Sequence, residues 1–195
     1  MVTIREEKLV DVAARETLLD EAYGAARFAK TSERLREGRL PADGLSLVAS
    51  DRGRIVGTVR LWNVSAGPGC DALLLGPLAV HPTQRNRGIG SALMRRAIAR
   101  ARLAGHRAIF LVGDAAYYGR FGFAAASTAE LWMPGRFERD RLLALELAPA
   151  ALAGARGLIA APGRAEPKPD LNALIATASG DRLARPRRTL VQRAA

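Results

Sequence analysis

The stretch that most constrains this chain runs over residues 73–104. It begins as an apolar strand, Leu73-Leu74-Leu75-Gly76-Pro77-Leu78-Ala79-Val80, and turns at His81-Pro82 through a polar loop. A segment at helical spacing then opens with Gly88-Ile89-Gly90 and closes at Gly105. Glycine in the first turn of a helix removes the side chains that would hold a phosphate away from the backbone. The unpaired N–H groups of that turn, aided by the helix dipole, make an anion site, and a diphosphate is the expected guest. Gly-x-Gly before a helix also occurs in ordinary turns, so the neighbouring residues decide its meaning.

Two neighbours add to it. Pro77 sits inside the strand and supplies no ladder N–H, so a bulge or broken ladder is expected just before Leu78. Such a break splays the strand from its parallel neighbour and opens a slot that an amide-rich ligand arm can enter like an added strand. The second neighbour is Tyr117-Tyr118-Gly119-Arg120-Phe121-Gly122-Phe123, after the strand expected beside residues 78–80. A tyrosine there faces the slot with a phenol that is protonated at neutral pH, or else serves as aromatic packing.

Around this centre the pattern is a mixed α/β one. Residues 2–5 alternate as a short strand. Asp11 is placed as the N-cap of a helix that Gly24 stops, and Thr31-Ser32-Glu33 caps a short helix ended by Gly38. Residues 45–50 and 54–64 form a hairpin around Asp51-Arg52-Gly53. Residues 107–112 are a buried strand, 115–120 a short helix and 141–147 a late strand. Crossovers from Leu73 to Val112 and onward suggest parallel pairing beside an antiparallel hairpin, hence a mixed sheet flanked by helices. Domain 1–160 is followed by a basic extension, 161–195, read as partly disordered or partner-docking. From Arg164 onward it holds seven basic and three acidic residues, and residues 171–178 suit one helical segment.

Charge and cysteine usage exclude several classes. Only Cys70 is present, so no intramolecular disulfide forms, and with His81 and His106 as the only histidines no metal site is expected. The first residues are charged where a signal peptide is apolar, and no apolar run approaches the ~18–20 residues that span a bilayer. A cytoplasmic protein without a membrane partner is expected. The net charge of +11 is carried almost wholly by arginine. The tail lacks interleaved aromatics, which disfavours nucleic acid as a partner and leaves only phosphate attraction.

The order strand, Arg85-x-x-Gly88-x-Gly90, helix, strand, then Tyr118 four residues before Gly122-Phe123 resembles the GNAT superfamily of N-acetyltransferases. Leu75-Gly-Pro-Leu-Ala-Val-His-Pro with Gly113-Asp114-Ala-Ala-Tyr-Tyr-Gly-Arg-Phe-Gly-Phe123 further resembles its YhbS-like branch of predicted acetyltransferases. The resemblance covers about residues 3–159 and leaves the tail unexplained. It implies the acyl-CoA N-acyltransferase fold, a mixed central sheet with a splayed central strand pair. It also implies transfer of an acetyl group from acetyl-CoA to a primary amine by direct attack, and no metal.

The same resemblance implies that the backbone of Leu78, Ala79 and Val80 holds the pantetheine arm. Amides of Arg85, Asn86, Arg87, Gly88, Ile89, Gly90 and Ser91 would bind the pyrophosphate, and Tyr118 would be the general acid. Asp114 stands where many members carry Asn, which puts its contact to CoA in question. Candidates for the base are Glu33, His81 and Asp114, and Trp62 and Phe28 are candidate walls of the acceptor pocket. Arginines 95, 96, 100 and 102 read as a solvated helix face. Alternatives are a non-catalytic acyl-CoA-binding or regulatory domain, a nucleic-acid-associated protein acting through its tail, and a cysteine enzyme built on Cys70. Expected partners are acetyl-CoA and an unidentified amine acceptor, with a homodimer left open.

Overall fold

The computed structural model describes residues 1–167, and the expected extension beyond them, with its helical segment at 171–178, lies outside the described residues. Six strands form the main sheet in the order β1 (Val2–Glu6), β2 (Ser46–Asp51), β3 (Arg54–Ser65), β4 (Asp71–Val80), β5 (Ala108–Val112) and β7 (Leu142–Glu146). A parallel pair of two-residue strands, β6 (Leu131–Trp132) and β8 (Gly157–Leu158), lies apart from it. Among the described residues three α-helices accompany the strands: α1 (Val12–Tyr23), α2 (Ile89–Leu103) and α3 (Ala115–Tyr118). The sheet is mixed, as expected, because only β4 and β5 run parallel. Among the described residues no helix is long and apolar enough to cross a membrane.

Alternation of side chains across β4 divides the core. Leu73 and Leu75 meet Ile89, Leu93, Met94, Ala97 and Ala101 of α2 on one face. Ala72 and Leu74 join Trp62, Phe110, Leu131 and Ile159 on the other. Both faces are thus covered, which is why residues 72–75 are continuously apolar. Helix α1 lies against a third patch, where Leu18 and Leu19 pack on Ala79. A buried Glu7 carboxylate also ties α1 to β3: Arg60 donates to it at 2.5 and 3.0 Å and Arg15 pairs with it at 3.1 Å. These contacts set the C-terminal end of α1 over the second half of β4.

Several expectations change. The segment expected as a short helix capped by Thr31-Ser32-Glu33 is a 3-10 turn over Thr31–Leu35, with Lys30 at its N-cap and no side-chain cap. The crossover after Val112 does not give a parallel strand, for β7 pairs antiparallel with β5, from Ala108 opposite Glu146 to Val112 opposite Leu142. The chain reverses through the 3-10 turns and loops of residues 119–141 instead of crossing over on a long helix. Asp11 precedes α1 but makes no side-chain cap to it. Its carboxylate instead accepts two bonds from Arg5, at 2.6 and 2.8 Å, and one from the Lys8 N–H at 2.7 Å. The short helix at 115–120 is α-helical only to Tyr118 and tightens to 3-10 over Gly119–Phe121. Strands β6 and β8 carry too few residues for a period to be read.

The Arg5 pair holds the Asp11 carboxyl down at about 2. An unfolded aspartate titrates near ~3.9, so the stabilisation from this pair is complete above that value and is lost as pH falls through about 2. Arg5 is one-third exposed, which weakens the pair. Asp11→Asn should therefore cost about 1 kcal/mol at neutral pH and flatten the loss of stability between pH ~4 and ~2. Denaturant titrations of both proteins at a series of pH values check this.

Candidate active site

The site exists because one ladder stops early. Strands β4 and β5 are paired only at Leu73–Ile109 and Leu74–Phe110. On its other side β4 slips against β3: Leu61 faces Leu75 and Val59 faces Leu78, so Gly76 and Pro77 together oppose Arg60. This is the bulge expected from Gly-Pro. Gly76 sits at φ +133°, a conformation side chains rarely adopt, and its carbonyl accepts the Trp62 indole N–H at 2.6 Å. Trp62 is buried beneath the bulge and steadies it from below. Phe28 is exposed under the Arg27 guanidinium and does not line the cleft.

Beyond the bulge the two strands part around a cleft of about 640 Å³, open solvent included. Its floor is Leu74–Leu78 of β4 with Leu111 and Val112 of β5. Tyr118 stands at one side, and Tyr23, Arg27, Lys30, Ser32, Glu33 and Arg36 form the other. Of the residues assigned to the ligand arm, Leu78 lies in the cleft and its carbonyl accepts a hydrogen bond from the Tyr23 hydroxyl, while buried Ala79 packs under α1. Val80 ends the strand opposite Gly57.

The loop after β4 takes the form that anion binding requires. Asn86 adopts φ +62° and Gly88, the N-cap of α2, adopts φ +75°. The backbone N–H groups of Asn86, Arg87, Gly88, Ile89, Gly90 and Ser91 donate to no acceptor among the described residues. The first return bond of the helix is Ala92 N–H to Gly88. Successive free amides around left-handed residues form a concave nest with positive character, suited to a phosphate or diphosphate. Asn86, Arg87 and Gly88 are exposed, so this nest is open.

The two tyrosines of α3 part company. The hydroxyl of Tyr117 approaches α2 and would lie 3.1 Å from a methyl group added at Gly90, beside the nest. Tyr118 turns to the cleft, and its ring lies so close to Gly113 that an added Cβ would meet it at 2.2 Å. Its ring packs edge-on against Tyr117 and Phe123. Burial, followed by the neighbouring Tyr23 and Tyr117, pushes its phenol well above the ordinary value, so at neutral pH Tyr118 is a proton donor only.

The three base candidates are not equivalent. Glu33 lines the cleft but is bound to Arg36 at 2.7 Å. His81 lies outside the cleft lining, with its ring shared between Glu21 at 3.2 Å and Thr83 at 2.9 Å. Asp114 is exposed and caps α3 through the Ala116 N–H at 2.9 Å, the capping role its sequence position suggests. Cys70 is buried at the start of β4 among apolar neighbours and away from the cleft lining, which disfavours a thiol nucleophile. Among the described residues no three His, Cys, Asp or Glu side chains gather as a metal site would need.

Tyr23, Lys30 and Arg36 were not legible as site residues. Arg36 is 7% exposed, with its guanidinium 3.8 Å from the position a Gly76 Cβ would take. Nothing in its local sequence distinguishes it from the chain's many solvated arginines. Replacing Gly113 by Ala should force the Tyr118 ring from its seat and cost about 1–3 kcal/mol. The displaced phenol should then ionise nearer pH ~10, as read by ultraviolet titration of the tyrosines.

Comparison with known proteins places this geometry. A family model described as an acetyltransferase (GNAT) domain matches residues 42–125. The uncharacterized N-acetyltransferase YjhQ of Escherichia coli K12 is 34% identical over 105 residues, which span 52% of this chain but only 58% of that protein. The crystal structure of the GNAT family N-acetyltransferase YhbS from Escherichia coli, solved in complex with CoA, is 30% identical. It covers 82% of this chain and 89% of its own, with a TM-score of 0.70. A GNAT family acetyltransferase from Brucella melitensis, in complex with acetyl-CoA, is 28% identical over 87% of this chain and 94% of its own, with a TM-score of 0.57. With its split parallel strand pair, its nest at the start of α2 and its kinship over most of YhbS, the chain belongs to the GNAT family of acetyltransferases.

Proposed function

We propose that this protein, on the YhbS-like branch of its family, transfers the acetyl group of acetyl-CoA to a primary amine by direct attack, without a covalent enzyme intermediate. The observation that carries the reading is the early end of the β4–β5 ladder. It leaves a backbone-lined slot with the half-buried phenol of Tyr118 in its lining, and the nest of free amides at residues 86–91 follows β4 within a few residues. An elongated ligand with a diphosphate at one end and amides along its arm fits that sequence of groups. The solved relatives from Escherichia coli and Brucella melitensis hold CoA and acetyl-CoA. A cytoplasmic location belongs to the same reading.

Each group has a task in this mechanism. Free amides of Asn86 through Ser91 bind the diphosphate, without Arg85, whose N–H already meets the Pro82 carbonyl at 3.4 Å. The edge of Leu78, Ala79 and Val80 turned away from β3 holds the pantetheine arm, in place of the Tyr23 hydroxyl now on the Leu78 carbonyl. A backbone N–H near Val80 polarises the thioester carbonyl, where charge develops. Asp114 fixes α3 and thereby the start of the Tyr118 turn. As the nitrogen attacks and the carbon–sulfur bond breaks, the amine gives up one proton and the sulfur takes one. Tyr118 supplies the hydrogen to the sulfur. The amine proton passes, directly or through water, to the Tyr118 oxygen as Tyr118 gives its own to the sulfur, so the phenol, less acidic than a free one, is restored and no standing phenolate forms.

Tyr118→Phe should lower kcat about 100-fold while leaving the affinity for CoA nearly unchanged. The check is CoA release from acetyl-CoA across a panel of amines and peptides, with calorimetric titration of CoA in parallel. Normal turnover in the variant would remove Tyr118 from the chemistry. CoA binding without turnover of any amine would favour a regulatory acyl-CoA-binding domain.

A further inference from the structure

The acceptor side of the cleft has an unequal charge balance. Three cations line it, Arg27, Lys30 and Arg36, against one carboxylate, Glu33. The charge of Arg27 is met outside the lining by Glu16 at 2.5 Å and Asp20 at 3.0 Å. Arg36 takes Glu33 at 2.7 Å and adds only the backbone and hydroxyl oxygens of Ser32, at 3.2 and 3.3 Å. Lys30 meets no carboxylate among the described residues, and its ammonium rests 4.3 Å from the centre of the Tyr23 ring. The cleft therefore presents an unanswered ammonium at its rim and a buried guanidinium at the bulge. Its single carboxylate is already engaged.

That arrangement suits one kind of amine and repels another. A second cationic group on the acceptor would find no free carboxylate along this wall and would face Lys30 and Arg36. A carboxylate on the acceptor would meet Lys30 directly, with the Ser32 hydroxyl as a neighbour in the same lining. The same positive field favours the neutral amine over its ammonium. It thus supplies part of what a general base would otherwise do, where Glu33 is occupied and His81 stands outside.

The wall is also held in place. Thr31 donates to the Arg136 carbonyl, and Arg34 donates to the Pro134 carbonyl at 2.8 Å. A wall fixed in this way holds the backbone around Lys30 and Arg36 in place as an acceptor enters.

Resting on the acetyltransferase reading above, we propose that the acceptor is an amino acid-like molecule, a primary amine that carries a carboxylate. Lys30 receives that carboxylate. The test measures kcat/KM for CoA release with the common amino acids, with the same amino acids as carboxamides, and with spermidine as a polycation. Wild type should prefer carboxylates over the matched amides by about tenfold or more. Lys30→Gln should erase most of that preference and Lys30→Arg should restore it. CoA affinity, measured by calorimetry, should stay the same in both variants.

Lys30 lies at the rim, so these variants test the idea without the risk of unfolding that attends Arg36. Equal or better turnover of amides or spermidine would overturn the proposal while leaving acetyl transfer intact. So would an unchanged preference in Lys30→Gln, or an equal loss of CoA affinity. Absence of any heat with CoA would overturn the acetyltransferase reading and this proposal with it.

Discussion

A stopped ladder governs this molecule. Had β4 and β5 continued to pair beyond Leu74 and Phe110, their backbone groups would be satisfied by each other and no slot would exist. The bulge at Gly76 and Pro77 ends the pairing by giving β4 two residues where β3 has one, and the Trp62 indole holds the displaced carbonyl in place. The surrounding packing tolerates the break because it is anchored on both sides of it. The α2 cluster grips Leu73 and Leu75, while α1 grips Ala79.

The same break arranges the chemistry by reach. Val80 leads within a few residues to the amide nest, and Val112 leads by way of Gly113 to Tyr118. The amide nest thus follows one strand of the split pair and Tyr118 follows the other, about thirty residues apart in sequence. Its other wall is built by the end of α1 and the turns that follow. That wall is cationic, and its position depends on the buried carboxylate of Glu7, which couples α1 to β3 through Arg15 and Arg60. Buried ion pairs of this kind contribute position more than net stability.

What could be read in advance follows a physical line. Glycine, proline and the apolar runs act on their own backbone, so the bulge, the glycine-started helix, the hairpin at Arg52-Gly53 and the short helix behind Asp114 were all legible locally. The direction of β7 was not, because the return path through residues 119–141 has no strong period and either sense of pairing buries the same apolar face. Asp11 does hold the N-cap position of α1, and its side chain makes no cap for a related reason. An aspartate before a helix caps it only if nothing better is in range, and Arg5 on the neighbouring strand is better.

By itself, then, the sequence determined the mixed sheet, the position of its break, the nest and the candidate phenol, since each is dictated by conformational limits within a few residues. Only the tertiary structure decided which tyrosine faces the cleft, which of some thirty basic side chains is buried beside the bulge, and which acids are already occupied. Charges act through space, so their partners are chosen by the fold rather than by their neighbours in the chain.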